Sequence, residues 1–297
     1  MKSASFITPK QKLFFGVMIG FLLFLSTTIA FAAKPRVAIM EPTIGEGVSK
    51  WSKKHLNLST LLDEMEASIQ KTRKFEILSR KEAVLKSILK EQEFAESDMT
   101  AGDAAPKGQI KNANFQVIPV IQDFKFYRSS KPVPNLASKY FRQDSGILEI
   151  NAQVIDVATG GIKATFYMKS SFGTKREVVN TKGGAPSSVH YTKMAKKVSA
   201  QMADQLVDTV FPMKVLNAQG NQLWINRGTD GGLKKGDTLK VFRPGVDLID
   251  PDTGENLGSA ETEIGTVTVE RVNPKFTIVM AKDLSEPAQK GDIVRKP

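Results

Sequence analysis

The stretch "ILEINAQVIDVATGGIKATFYMKSS", residues 147–171, decides how this chain folds. Apolar residues recur at every second position on both sides of a short polar break: Ile150, Ala152 and Val154 before it, Ile162, Ala164, Phe166 and Met168 after it. A period of two puts successive side chains on opposite faces of an extended chain, so each half reads as a strand with one buried face. The break is "DVATGG", Asp156 to Gly161. An aspartate can open a type I turn and bond its own backbone, and Gly160 can take the left-handed conformation that closes it. The stretch therefore predicts a β-hairpin, the nucleus of an antiparallel sheet.

Upstream the texture alternates. "RVAIMEP" (Arg36 to Pro42) reads as a buried strand ended by proline. Asn57 or Ser59 can cap a helix whose apolar face is Leu61, Leu62, Met65 and Ile69. "KFEILSR" (Lys74 to Arg80) is a second strand, and Ser79 can cap a second helix with Val84, Leu85, Ile88 and Leu89 on one face. A loop-rich stretch, "AESDMTAGDAAPKGQIKN", leads to a long strand, "NFQVIPVIQDFKFY" (Asn114 to Tyr127). Pro119 lacks an N–H and pushes that strand toward an edge or a bulge. A polar loop is expected from there to Gly146.

Downstream of the hairpin, "KGGAPSS" ends a flexible segment, and Ser187 or Ser188 caps a long helix. Its stripe of Met194, Val198, Met202, Leu206 and Val210 reads as core, with partner docking as the other reading. The fold class is α+β, with helices packed on a mixed, mostly antiparallel sheet. After Pro212 the helical period disappears. "VLNAQGNQLWINRG", "DTLKVFRPG", "IGTVTVERVN", "FTIVMAK" and "GDIVRKP" are short strands broken by glycine and proline, a small all-β barrel. The expected organisation is a leader over 1–32, the α+β domain over 33–211 and the barrel over 212–297.

The leader has Lys2, Lys10 and Lys12, then an apolar and glycine run from Leu13 to Leu25, then Ala30-Phe31-Ala32. About 13 apolar residues fall short of the ~20 that a membrane-spanning helix needs, so a cleaved secretory signal is expected, with an uncleaved anchor as the alternative. No cysteine occurs in the 297 residues, which excludes disulfides, thiolate metal sites and lipid attachment through cysteine. The formal charge is +11; without the leader's three lysines the balance is 39 basic against 31 acidic residues, or +8. The lysines are spread along the chain rather than gathered in a stripe, so a solvated charged surface is the expected reading. An exported chain of this kind meets anionic lipid or wall polymer, and nucleic acid is not expected as a partner.

Residues for catalysis are sparse. The two histidines, His55 and His190, stand in polar contexts without a metal-binding spacing. No nucleophile elbow, P-loop or dinucleotide fingerprint occurs. "GGLKKGD" (Gly231 to Asp237) is glycine-rich and basic but leads into a strand, so it offers no helix N-terminus to a phosphate. Glu91, Glu93 and Glu96 lie beside lysines near the end of an exposed helix, and Asp123 and Glu149 are the carboxylates a hydrolase would use.

"DPDTGENLGSAE" (Asp250 to Glu261) has acids at positions one, three and twelve of a calcium loop, yet Gly254 and Glu255 fill positions five and six wrongly. It shares the frame Asp-x-x-Thr-Gly with "DVATGG" and reads as a second hairpin corner. No catalytic residue, cofactor or metal site is expected.

Three blocks, "FEILSRKEAVLKSILKEQEFAESDM", "NANFQVIPVIQDF" and "INAQVIDVATGGI", resemble the CsgG family of periplasmic envelope proteins, which includes the curli-secretion lipoprotein. "LWINRGTDGGLKKGDTLKVFRPG", "DPDTGENLG" and "IGTVTVERV" resemble the C-terminal domain of flagellar assembly protein T. The second resemblance implies a small SH3-like barrel used for binding. Together they imply a non-enzymatic periplasmic protein that assists an outer-membrane or cell-surface assembly through envelope partners or self-association; unlike the curli-secretion lipoprotein, this chain has no cysteine to acylate and is not expected to be a lipoprotein. The alternative is a CsgG-type secretion channel. Against it, residues 128–146 and 172–188 are polar and interrupted and lack the ~9–11 alternating residues of a membrane strand. Arg227, Lys234, Lys235 and Arg243 are the exposed contact candidates on the barrel.

Overall fold

The computed structural model describes residues 33–95, 110–249, 251–252 and 256–297. The leader lies outside them. Strands β1 (Arg36–Ile39), β2 (Thr43–Ile44), β3 (Glu76–Leu78), β4 (Phe115–Pro132), β5 (Tyr140–Asp156), β6 (Ile162–Gly173) and β7 (Glu177–Val179) form one sheet. Its order is β3-β1-β4-β5-β6, with β2 pairing β4 and β7 pairing β5. The pairs that involve β1 and β2 are parallel, and the long β4–β5 and β5–β6 ladders are antiparallel, so the sheet is mixed as expected.

The decisive hairpin forms as read. Asp156 accepts from the Ala158 N–H through its carboxylate (3.0 Å), and Gly160 turns at φ +74° while donating its N–H to the Asp156 carbonyl (2.8 Å).

Helices α1 (Lys50–Lys53), α2 (Leu58–Thr72), α3 (Glu82–Ala95) and α4 (Ser188–Val210) complete this part. Asn57 caps α2 by accepting from the Thr60 N–H (2.9 Å), and the four apolar residues of its predicted face are all at most 3 % exposed. Met194, Val198, Met202 and Leu206 of α4 are equally buried against α2 and the sheet, so the stripe is core. Tyr191 ends this layer; burial pushes its phenol up to about 12, and its hydroxyl donates to the Asn57 carbonyl (2.7 Å).

Three local expectations are corrected. Pro119 sits in a central strand. It faces the break between β1 and β2, where no ladder donor is required, so its missing N–H costs nothing there. The apolar face predicted for the second helix is not core: Val84, Ile88 and Leu89 of α3 remain 37 %, 38 % and 42 % exposed. The inner sheet face is already covered by α2 and α4, and no described element packs broadly across α3.

The third correction is the polar loop before Gly146, which is strand. β4 and β5 stay paired out to Pro132 and Tyr140, forming an arm that extends past the core. Cross-strand charge holds the base of the arm in place of apolar packing. Arg128 grips Asp144 with two bonds (2.7 and 2.8 Å), and Arg142 grips Glu177 on β7 (2.8 and 2.6 Å).

The bonds from the Arg128 guanidinium hold the Asp144 carboxyl below its ordinary range. A carboxylate with a depressed native pKa contributes stability above its unfolded pKa and loses it as pH falls through the native value. We expect the arm's amides to lose hydrogen-exchange protection below about pH 4 in the native chain, with Arg128→Gln abolishing that step. Identical acid profiles would show that the pair does not hold the arm.

Residues from Met213 onward form a closed six-stranded antiparallel barrel: β8 (Met213–Gln219), β9 (Gln222–Ile225), β10 (Thr238–Ile249), β11 (Asn256–Val272), β12 (Thr277–Leu284) and β13 (Ile293–Arg295). Its core, which includes Val215, Leu223, Leu239, Val241, Val267 and Val279, is distinct from the sheet's. Closure leaves the barrel no free edge. The acidic corner joins β10 to β11, with Ile249 opposite Asn256; residues 250 and 253–255 of the corner lie outside the described residues. Its last acid, Glu261, is bonded to both terminal nitrogens of the Arg295 guanidinium. Among the described residues no group of three or more acids and histidines is placed to hold a metal.

Candidate interaction site

Strand β6 is the outer strand of the sheet, and its outward backbone groups can be identified from what caps them. Gln201 and Gln205 project from α4 over this edge. The Lys169 N–H donates to Gln201 Oε1 (3.1 Å), and Gln205 Nε2 donates to the Tyr167 carbonyl (3.4 Å). Backbone groups alternate sides along a strand, so residues two apart face the same way. The N–H and C=O of Thr165 therefore face the same open edge, with no partner strand among the described residues.

Thr165 opens into a cleft of about 700 Å³. One wall is β6 and α4, through Thr165, Phe166 and Gln205. The opposite wall is the barrel, through Met213, Ile293 and Lys296. The cleft combines an apolar floor with backbone donors and acceptors along one side.

Beside the cleft, a part-buried ion pair ties the barrel to α4. Arg227, just after β9, is 2 % exposed, which corrects its expected place on the surface. Its Nη2 donates to Asp208 Oδ1 of α4 (2.7 Å) and to the Phe211 carbonyl (2.9 Å). Gly231, in the 3-10 turn Thr229–Gly231, lies flat against its stem: a Cβ there would sit 2.0 Å from Arg227 Cδ. One helical turn earlier, burial raises the carboxyl of Asp204 above its ordinary range. Acids at i and i+4 of an otherwise amphipathic helix, with no nearby cation in sequence, were the signal for this long-range pair, and local reading passes over it.

The other predicted contacts divide. Lys234 and Lys235 are exposed on the loop before β10, and their ammonium groups have no acidic partner among the described residues. Arg243 instead staples the barrel, binding Asp292 (2.7 and 3.1 Å), Glu286 (3.0 Å) and the Pro287 carbonyl (2.8 Å). Its bond to Asp292 favours the charged guanidinium and raises its pKa. It stands five residues beyond Thr238 on β10, about 17 Å along the strand, so the four cations form no single patch.

The residues considered for catalysis are held by ordinary partners. Asp123 and Glu149 oppose each other on the open sheet face, bonded to Lys125 (2.7 Å) and Lys169 (2.6 Å) respectively. His55 packs between Trp51 and Phe126, with ring centroids 4.6 and 5.8 Å away, and His190 stacks on Phe172 at 4.4 Å.

Residues 220–296 match the family model of the flagellar assembly protein T C-terminal domain, a little over a quarter of the chain. None of the curated proteins matches. Among solved structures, a Xanthomonas campestris protein is 7 % identical and covers 60 % of this chain and 90 % of its own, with a TM-score of 0.33. A homologue of the neuraminyllactose-binding hemagglutinin from Helicobacter pylori is 12 % identical, covering 59 % and 85 % at a TM-score of 0.30. The PelC dodecamer from Paraburkholderia phytofirmans is 11 % identical, covering 57 % and 88 % at 0.27. Likenesses this distant carry no functional argument.

Proposed function

We propose that this chain is a non-enzymatic protein of the bacterial envelope that assists an outer-membrane or cell-surface assembly by holding an extended segment of a partner protein. The observation that carries the reading is the unpaired edge of β6 at Thr165, opening into the cleft beside the barrel. Main-chain groups along a sheet edge pair with an incoming strand whatever its sequence, and pockets beside the edge select alternate side chains. Gln201 and Gln205 each cap one backbone group further along the edge, the Lys169 N–H and the Tyr167 carbonyl, which limits indiscriminate pairing there.

The match of the barrel to flagellar assembly protein T and the resemblance of the first part to the CsgG family support an assembly role in the envelope. We read the barrel as SH3-like and the location as periplasmic. Among the described residues no helix is long and apolar enough to cross a membrane. The long β4–β5 arm favours the secretion-channel alternative by its length alone. Its side chains do not, because Arg128, Ser129, Ser130, Lys131, Arg142 and Gln143 give neither face an apolar band.

Thr165→Pro tests the proposal, because proline removes the edge N–H and is tolerated on an edge strand. Panned against a random 12-residue peptide library, the native chain should enrich binders that the variant binds at least about tenfold more weakly. No enrichment, or equal binding by the variant, would overturn it.

A further inference from the structure

Helix α1 and the residue after it form a small exposed platform that the cleft does not use. Ser49 caps this single turn by accepting from the Ser52 N–H (3.1 Å), and Ser52 points inward. That orientation leaves Lys50, Trp51, Lys53 and Lys54 facing solvent. The Trp51 indole is 49 % exposed, but it is not loose: its ring rests on His55, which rests on the buried Phe126. No acidic residue occurs between Glu46 and Asp63, and none of the three lysines has an acidic partner among the described residues.

We propose that this platform docks the protein on an anionic lipid surface. An indole suits the membrane interface, where its ring meets the acyl boundary and its N–H stays among the headgroups. Ammonium groups beside it gain from negatively charged headgroups, about fivefold in affinity per lysine near the surface. Here three exposed lysines without an acidic partner among the described residues stand on the same turn as one braced, half-exposed indole. A protein docking surface of this size would instead be expected to carry more apolar area and fewer lysines.

The chain reports on this itself, because its two tryptophans are Trp51 and Trp224. With Trp224→Phe in the full chain, all indole emission comes from Trp51. Phosphatidylglycerol vesicles should shift that emission to the blue and shield it from iodide, while neutral phosphatidylcholine vesicles should not. Lys50, Lys53 and Lys54 replaced together by alanine should weaken the partition about 100-fold. All three are exposed, so the melting curve of that variant should be unchanged. An unshifted Trp51 with anionic vesicles would overturn the proposal. So would a shift that survives loss of the three lysines, or one that needs lipid-free envelope protein instead of vesicles.

Discussion

Arg227→Ala should cost about 2–3 kcal/mol of stability, and Gly231→Ala a similar amount, yet the double variant should cost little more than either alone. The arginine supplies two charge-assisted bonds and fills a buried slot between the barrel and α4. The usual cost of breaking a buried ion pair is discounted here, because Asp208 is 39 % exposed and can take up water. The Phe211 carbonyl loses its donor, and the stem leaves a void.

Gly231→Ala acts through the same arginine. A new Cβ 2.0 Å from Arg227 Cδ and 2.1 Å from Cγ must expel the side chain, since Gly231 has no unusual backbone angle of its own. Once Arg227 is alanine the clash disappears. Urea denaturation of the four proteins in the cycle should give a coupling near 2 kcal/mol. Simple additivity would mean that Gly231 is needed for some other reason.

Gly265→Ala should be the most damaging single change in the barrel, at about 3–5 kcal/mol. Gly265 has φ +138°, a conformation closed to alanine, and an added Cβ would lie 1.8 Å from the Asp283 carbonyl oxygen of the neighbouring strand. That contact is backbone against backbone at a bulge in the β11–β12 ladder, so no side chain can move aside to relieve it. The barrel closes through β13, which is only three residues long, so separating β11 from β12 reopens the ring. Thermal unfolding followed by Trp224 fluorescence, with Trp51→Phe, should show an early transition. A loss below about 1 kcal/mol would mean that the bulge relaxes easily.

Much of the fold was legible because local signals and burial agree. Leu61, Leu62, Met65 and Ile69 keep helical spacing and are all core, and "DVATGG" carries every residue its turn requires. The same logic failed at α3, whose spacing is as good. Spacing says that a face is apolar, not that anything is available to cover it. It failed again at residues 128–146, where a polar sequence remains strand because Arg128 and Asp144 meet across the ladder. The predicted contact cations show the same limit. Lys234 and Lys235 are exposed as read, but Arg227 and Arg243 found partners 19 and 49 residues away.

By itself, the sequence determined most of the helices and strands, the Asp156 hairpin corner, the passage from α+β to all-β texture near Pro212 and the absence of thiol chemistry. Those properties depend on spacing and residue type within a few positions of each other. Only the tertiary structure decided that Arg227 is buried, that the β6 edge stands open at Thr165, and that Trp51 is braced on His55 among exposed lysines. Each of these depends on which distant groups the fold brings within about 3–6 Å, the range over which hydrogen bonds and ring contacts act.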